Sequence, residues 1–358
     1  MDKLTPIQTK APLVFTLQWH LTACCEQKCK HCYMREEPTY LSELKNELDI
    51  NACFKIVDDF VESFGPFCQK LRINFTGGDP LLKEGIFDLI NYASKRGIRI
   101  GILGNPNLIT PKIARKLKRV GVATYQVSLD GLAKTHDALR GKGGLFNQTL
   151  NALSILKKEG ITTVVMFTLS KRNKKELIPL IKLLNKSKLV DIFDFARLVP
   201  CGSGRKLMKD LLSPKEFRNL LLEVFHAYLD FAKDGGSIYF GRKDSLWALL
   251  YHQLGLANFI KTGDRIIRNG CSIGLRIITI LADGTVYACR RLPIKIGQVP
   301  KQSLKEIFFD SKKHNWLRKT ELLEKCANCE LYSYCRGCPA VAFGVTKNYF
   351  APDPQCWK

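Results

Sequence analysis

The chain has 358 residues, 46% of them apolar, with a net charge of +23; this composition fits a large globular protein and excludes a disordered one. No apolar run approaches the roughly 18 residues of a membrane helix, and the opening "MDKLTPIQTKAPLV" lacks the apolar core of a signal peptide, so a cytoplasmic protein without membrane contact is expected. The excess charge favours anionic partners, but the lysines are scattered ("KSKLV", "SKRNKKEL") and no basic block is interleaved with aromatics. That reads as a solvated surface, and nucleic acid is not the expected partner.

After a short extension, 1–12, short apolar strands alternate with amphipathic helices. Strands are expected at 13–21, 71–76, 98–103, 124–129, 162–169 and 191–198, rich in β-branched and aromatic residues and flanked by Gly, Pro or Asp. The clearest helix is 49–64, capped by Asp49, with Ile50, Cys53, Phe54, Val57, Phe60, Val61 and Phe64 recurring at helical spacing. Cys53 falls on that apolar face and reads as core. Six β-α units in series imply a parallel sheet with right-handed crossovers, open or partly closed as a barrel. Ligand sites in such sheets lie at the carboxyl ends of the strands. The loop "ACCEQKCKHCYM" after the first strand and "TGGDP" after the second therefore share one rim.

Beyond "RLVPCGSGRK" the pattern changes. Residues 206–265 read as a mostly helical bridge. In 266–358, "CSIGLRIITILADGTVYACRRL" reads as a hairpin turning at Asp283-Gly284. The tail from 320 has little periodicity and needs a staple other than a large core.

Fourteen cysteines in a protein of this kind point to metal or catalysis rather than disulfides. Four sit at 24–32 and seven fall at 271, 289, 326, 329, 335, 338 and 356, so two metal regions flank a cysteine-poor middle. Cys25, Cys29 and Cys32 read C-x3-C-x2-C, with Cys24 outside the pattern and His31 as an exposed loop histidine. Three thiolates grip one face of a 4Fe–4S cubane and leave one iron open, which a catalytic site needs and a structural site closes. A zinc site is the competing reading.

"CEQKCKHCY" resembles the signature of radical S-adenosylmethionine (SAM) enzymes, with Tyr33 as the aromatic. The resemblance implies a partial (β/α)6 barrel at 13–205, a cluster on Cys25, Cys29 and Cys32, and SAM chelated at the open iron. It also implies SAM cleavage to methionine and a 5′-deoxyadenosyl radical that abstracts hydrogen, with an electron donor such as ferredoxin or flavodoxin. "TGGDP" is similar to the family's Gly-Gly-Glu-Pro, so Gly77 and Gly78 would receive the SAM ammonium, with Asp79 in place of Glu. "VSLDG" and "HDALRGKGGLF" place Ser128 near the ribose or carboxylate and Arg140 against the SAM carboxylate. "GNPN" stands where Thr-Asn-Gly is usual, which makes Asn105 a weaker candidate contact. The backbone of Leu198 is a candidate for adenine.

The later cysteines resemble the SPASM extension, which carries auxiliary iron–sulfur clusters, although "CRGC" has x2 where the family usually has x3. By that resemblance Cys326, Cys329, Cys335 and Cys356 hold one cluster, and Cys271, Cys289 and Cys338 hold another with one position unassigned. The implied substrate is a peptide or protein, for example a ribosomally synthesised peptide receiving a thioether or carbon–carbon cross-link. Alternatives are a modified tetrapyrrole in haem biosynthesis, sulfatase maturation, or RNA modification. Arg290, where sulfatase-maturing relatives carry an acidic base, counts against sulfatase maturation. About twelve residues before the first strand leave no room for a fused leader-binding module, so a separate recognition protein, or direct leader binding by the basic surface, is expected for a peptide. Cys201, in "VPCGSG", is a candidate hydrogen donor.

Overall fold

A computed structural model describes residues 13–257, 259 and 266–358; the expected 1–12 extension and part of the helical bridge lie outside them. Six parallel strands run β1 (Val14–Thr22), β2 (Lys70–Gly77), β3 (Arg99–Leu103), β4 (Val122–Ser128), β5 (Thr162–Leu169) and β6 (Ile192–Arg197), each hydrogen-bonded to the next in sequence order. Helices connect them, as parallel pairing demands. The result is the expected α/β partial barrel, with every strand within two residues of its predicted bounds. The long helix between β1 and β2, Ile50–Phe64, starts where the Asp49 carboxylate accepts the Ala52 N–H at 2.8 Å. It buries Cys53, Val57, Phe60 and Phe64, and Phe64 stacks on Phe15 of β1 with centroids 3.8 Å apart.

The hairpin does not form a sheet of its own. Strand β7 (Tyr239–Phe240) extends one edge beside β6, and β8 (Ile277–Ile280), β9 (Thr285–Cys289) and β10 (Leu292–Gln298) extend the other, giving one ten-stranded sheet ordered β10-β9-β8-β1-β2-β3-β4-β5-β6-β7. Strand β8 runs parallel to β1, with Thr16 opposite Ile277, and the turn at Asp283-Gly284 returns β9 antiparallel. The expectation of an unpatterned tail also needs correcting. Pro339–Thr346 is a helix, buried along most of its length. It is apolar all round ("PAVAFGVT"), so no amphipathic period marks it.

Candidate active site

The carboxyl ends of β1 to β6 converge on one cleft enclosing about 1110 Å³ to its open mouth. Its lining includes Cys25, Cys29, Cys32, Tyr33, Gly77, Gly78, Asn105, Ser128, Arg140 and Leu198. The loop after β1 is held down by the β2 loop: the Gly78 N–H donates to Thr22 O and the Asp79 N–H to Cys24 O, each at 2.8 Å. A Cβ on Gly78 would collide with the Cys24 carbonyl, and one on Gly77 (φ 128°) with that of Thr22. Only paired glycines allow this approach.

The three thiols face one another closely enough for their charges to interact in every pairing. Burial pushes each above the ordinary cysteine range, and each has a group that favours thiolate. Cys25 has the Asn105 amide at 3.3 Å, Cys29 has the Arg140 guanidinium at 3.6 Å, and Cys32 has backbone N–H groups of Arg35 and Met34. Donors aimed at sulfur are what cluster-bound thiolates take from their surroundings. Among the described residues no three His, Cys, Asp or Glu side chains converge on a single-ion position, whereas a cubane takes each thiolate on a separate iron. The donor set fits the cubane.

Asp130 organises the far wall, a role that the sequence reading missed. Burial opposes its ionisation, but Arg140 and then His31 overcome that and hold its carboxyl well below the usual range. Arg140 donates to it at 2.7 and 2.6 Å, the Thr168 N–H at 2.7 Å, and His31 Nε2 stands 3.3 Å away. His31 is therefore not an exposed loop residue: with 10% of its side chain exposed, it ties the cysteine loop to the end of β4. Arg140 is anchored by Asp130 and reaches Cys29, rather than standing free for a ligand carboxylate.

Two further expectations are corrected. Asp79 does not line the cleft. It is 1% exposed, caps a turn through the Leu81 N–H at 3.2 Å, and burial pushes its carboxyl up to about 6. Leu198 does line it, with its N–H donating to Leu169 O. Cys201 lies 4% exposed behind the cleft, in a small chamber with His20, Glu37 and Arg291, and burial pushes its thiol up to about 12. The next residue, Gly202, packs directly against the backbone of Cys32, Tyr33 and Arg35. A hydrogen donor for the cleft does not sit there.

The cleft also holds cations that the sequence reading did not single out as site residues. Lys243, Arg290 and Arg291 line it close to one another, and Arg35 lines it from the cysteine loop, where its guanidinium donates to Gln27 O. Arg290 lies over the Tyr33 ring at 5.3 Å. Lys243 is open to the cleft yet densely surrounded; that enclosure, then Arg290 and Arg291, holds its ammonium down to about 7. The doublet Arg290-Arg291 directly after Cys289 was the available signal.

The seven cysteines from Cys271 onward fall into two groups. Cys326 interacts with Cys356 and Cys329, and Cys335 with Cys326 and Cys356; Cys271 interacts with Cys338 and Cys289. The carboxylate of Asp353, which accepts the Cys338 N–H at 2.7 Å, stands between the groups. This partition is the one the resemblance implied.

A parallel barrel with a thiol triad at its rim and two outlying thiol groups defines an iron–sulfur enzyme. The Radical SAM superfamily profile matches residues 19–184, and that of SPASM, an iron–sulfur cluster-binding domain, matches 271–339. The AdoMet-dependent heme synthase of Methanosarcina barkeri is 30% identical over 97% of each chain. The mycofactocin maturase of Mycolicibacterium smegmatis is 27% identical over 97% of this chain and 83% of that one. Among solved structures, Streptococcus suis SuiB bound to SAM superposes with a TM-score of 0.76 at 17% identity, covering 97% and 78%. The chain belongs to the radical SAM superfamily, in the branch with a SPASM domain. It is an enzyme, and its cofactors are 4Fe–4S clusters and SAM. No helix among the described residues is long and apolar enough to cross a membrane.

Proposed function

We propose that the enzyme acts on a carboxylate-bearing tetrapyrrole and oxidatively decarboxylates its side arms. The observation that carries this is the cationic wall: Lys243, Arg290, Arg291 and Arg35 face the cleft beside the cysteine triad. Such a cluster is costly to enclose without anions, and carboxylate arms supply them. The full-length similarity to a heme synthase supports the same class. When bound, the cluster and SAM supply a carbon radical that abstracts unactivated hydrogen. The chain's own residues do the rest. We propose that Cys25, Cys29 and Cys32 hold the cluster, that Gly77, Gly78, Ser128 and Asn105 cradle SAM, and that Lys243 and Arg290 position the carboxylates. Tyr33 and the closely packed β2 loop wall off water.

Anaerobically reconstituted enzyme with SAM, dithionite and iron coproporphyrin III tests this by mass. Loss of CO2 and two hydrogens per arm, matched by 5′-deoxyadenosine, is the expected result. An unchanged porphyrin beside undiminished SAM cleavage would remove the substrate assignment. A second reading, maturation of a ribosomally synthesised peptide, draws on the mycofactocin maturase likeness; it predicts a mass change in an added precursor peptide instead, with recognition by a separate protein.

A further inference from the structure

On the far side of the Cys271, Cys289 and Cys338 group lies an open groove lined by Pro293, Ile294, Lys295, Lys313, Trp316, Phe343, Lys347, Asn348 and Tyr349. Its three lysines are exposed, and no acidic side chain is in its lining. At the rim, Glu324 accepts from the Asn348 amide. Lys313 lies 4.4 Å over the half-buried Trp316 ring and Lys347 6.0 Å from that of Phe343. Trp316 in turn meets Tyr349, centroids 6.0 Å apart. Tyr349 is buried, with its phenol donating to Leu317 O at 3.1 Å. It lies near enough to Cys271 and Cys289 for their charges to act on it. On the other side of that thiol group, Cys289 is followed by Arg290 and Arg291, which line the cleft. Cleft, thiol group, Tyr349, Trp316 and groove thus form a continuous series.

We propose that this lysine-ringed groove is the docking surface of an acidic one-electron carrier protein, which takes electrons from the cluster site at Cys271, Cys289 and Cys338 through Tyr349 and Trp316. The inference rests on the oxidative reading above. Converting an arm –CH2–CH2–COO⁻ to –CH=CH2 releases one CO2, one hydrogen atom and one electron. The hydrogen goes to the deoxyadenosyl carbon, and the oxidised carrier accepts the electron and becomes reduced by one. Exposed like charges around an aromatic floor fit a partner whose redox centre is ringed by carboxylates, and they speed its encounter.

The test titrates reconstituted holoenzyme with oxidised flavodoxin, an acidic carrier, following Trp316 fluorescence. Wild type should bind in a salt-dependent way. The combined Lys295→Glu, Lys313→Glu and Lys347→Glu variant should bind about tenfold or more weakly while keeping its iron content and its dithionite-driven SAM cleavage. The corresponding Lys→Gln variant should fall between them, and it serves if the charge reversals impair folding. Equal binding by wild type and variant overturns the proposal, as does displacement of flavodoxin from wild type by an acidic peptide that reaches the groove more tightly. Loss of SAM cleavage in wild type itself would instead strike the cofactor reading, because binding is scored independently of it.

Discussion

Arg197, the last residue of β6, and Asp353, fifteen residues after Cys338, form a two-point ion pair: Nη1 to Oδ1 at 2.8 Å and Nη2 to Oδ2 at 2.7 Å, with each side chain 1% exposed. Asp244 takes the remaining face of the guanidinium at 2.6 Å. The barrel rim, the bridging segment and the cysteine-rich tail are thus locked at one buried cation. Two carboxylates on one arginine, with Gln355 adding a contact at 3.0 Å, leave no donor idle.

Removing Asp353 leaves Arg197 paired with Asp244 but strips buried guanidinium donors of their acceptor, which costs about 1–3 kcal/mol. Asp353→Ala should lower the unfolding free energy by about that much. Because Asp353 also accepts the Cys338 N–H, reconstituted iron should fall as well, while the Cys25 site keeps its share. Calorimetry and iron analysis check both.

His314 provides a stability switch with a definite sign. It is fully buried, its Nδ1 meets Phe308 O at 3.0 Å, and burial, then Arg318, holds its imidazole down to about 4. The folded state therefore resists a proton that the unfolded chain takes up near 6.5. The neutral histidine carries no penalty above that value, and stability drains away as pH falls from about 6.5 toward 4. Between about pH 7.5 and about pH 5.5 the wild type should lose about 1 kcal/mol more than His314→Gln. Urea midpoints at the two pH values measure the difference; identical losses would exclude the effect.

Lys243→Gln and Arg290→Gln should each raise KM for a carboxylate-bearing substrate by about tenfold, the size of one lost charge-assisted hydrogen bond. SAM cleavage without substrate should be unchanged. Steady-state kinetics with iron coproporphyrin III separates the two effects.

Cys335→Ala should spare SAM cleavage and stop product formation, since Cys335 belongs to the outlying Cys326, Cys329 and Cys356 group. Product formation at the wild-type rate would remove that group from turnover.

The barrel was readable because each strand carries its own apolar pattern and turn signals, and the cysteine loop because its spacing is short-range. What the sequence hid was long-range. Asp130 sits in plain view in "VSLDG", but its four donors come from residues 31, 140 and 168, which only the folded sheet brings together. His31 and Cys201 were placed by local composition and moved by tertiary contacts. Strand β7 has two residues, too few for any period. Lys243 is separated from Arg290 and Arg291 by a helix and two strands of intervening chain, so the cationic wall had no linear signature.

The claim on which all of this stands is that Cys25, Cys29 and Cys32 hold a cluster with one iron left for SAM. Electron paramagnetic resonance of the dithionite-reduced holoenzyme, with and without SAM, tests it most directly. The predicted result is a signal that shifts on adding SAM in wild type and in Cys335→Ala, and no such shift in Cys25→Ala. A wild-type signal indifferent to SAM, or a shift that survives loss of Cys25, would contradict the account.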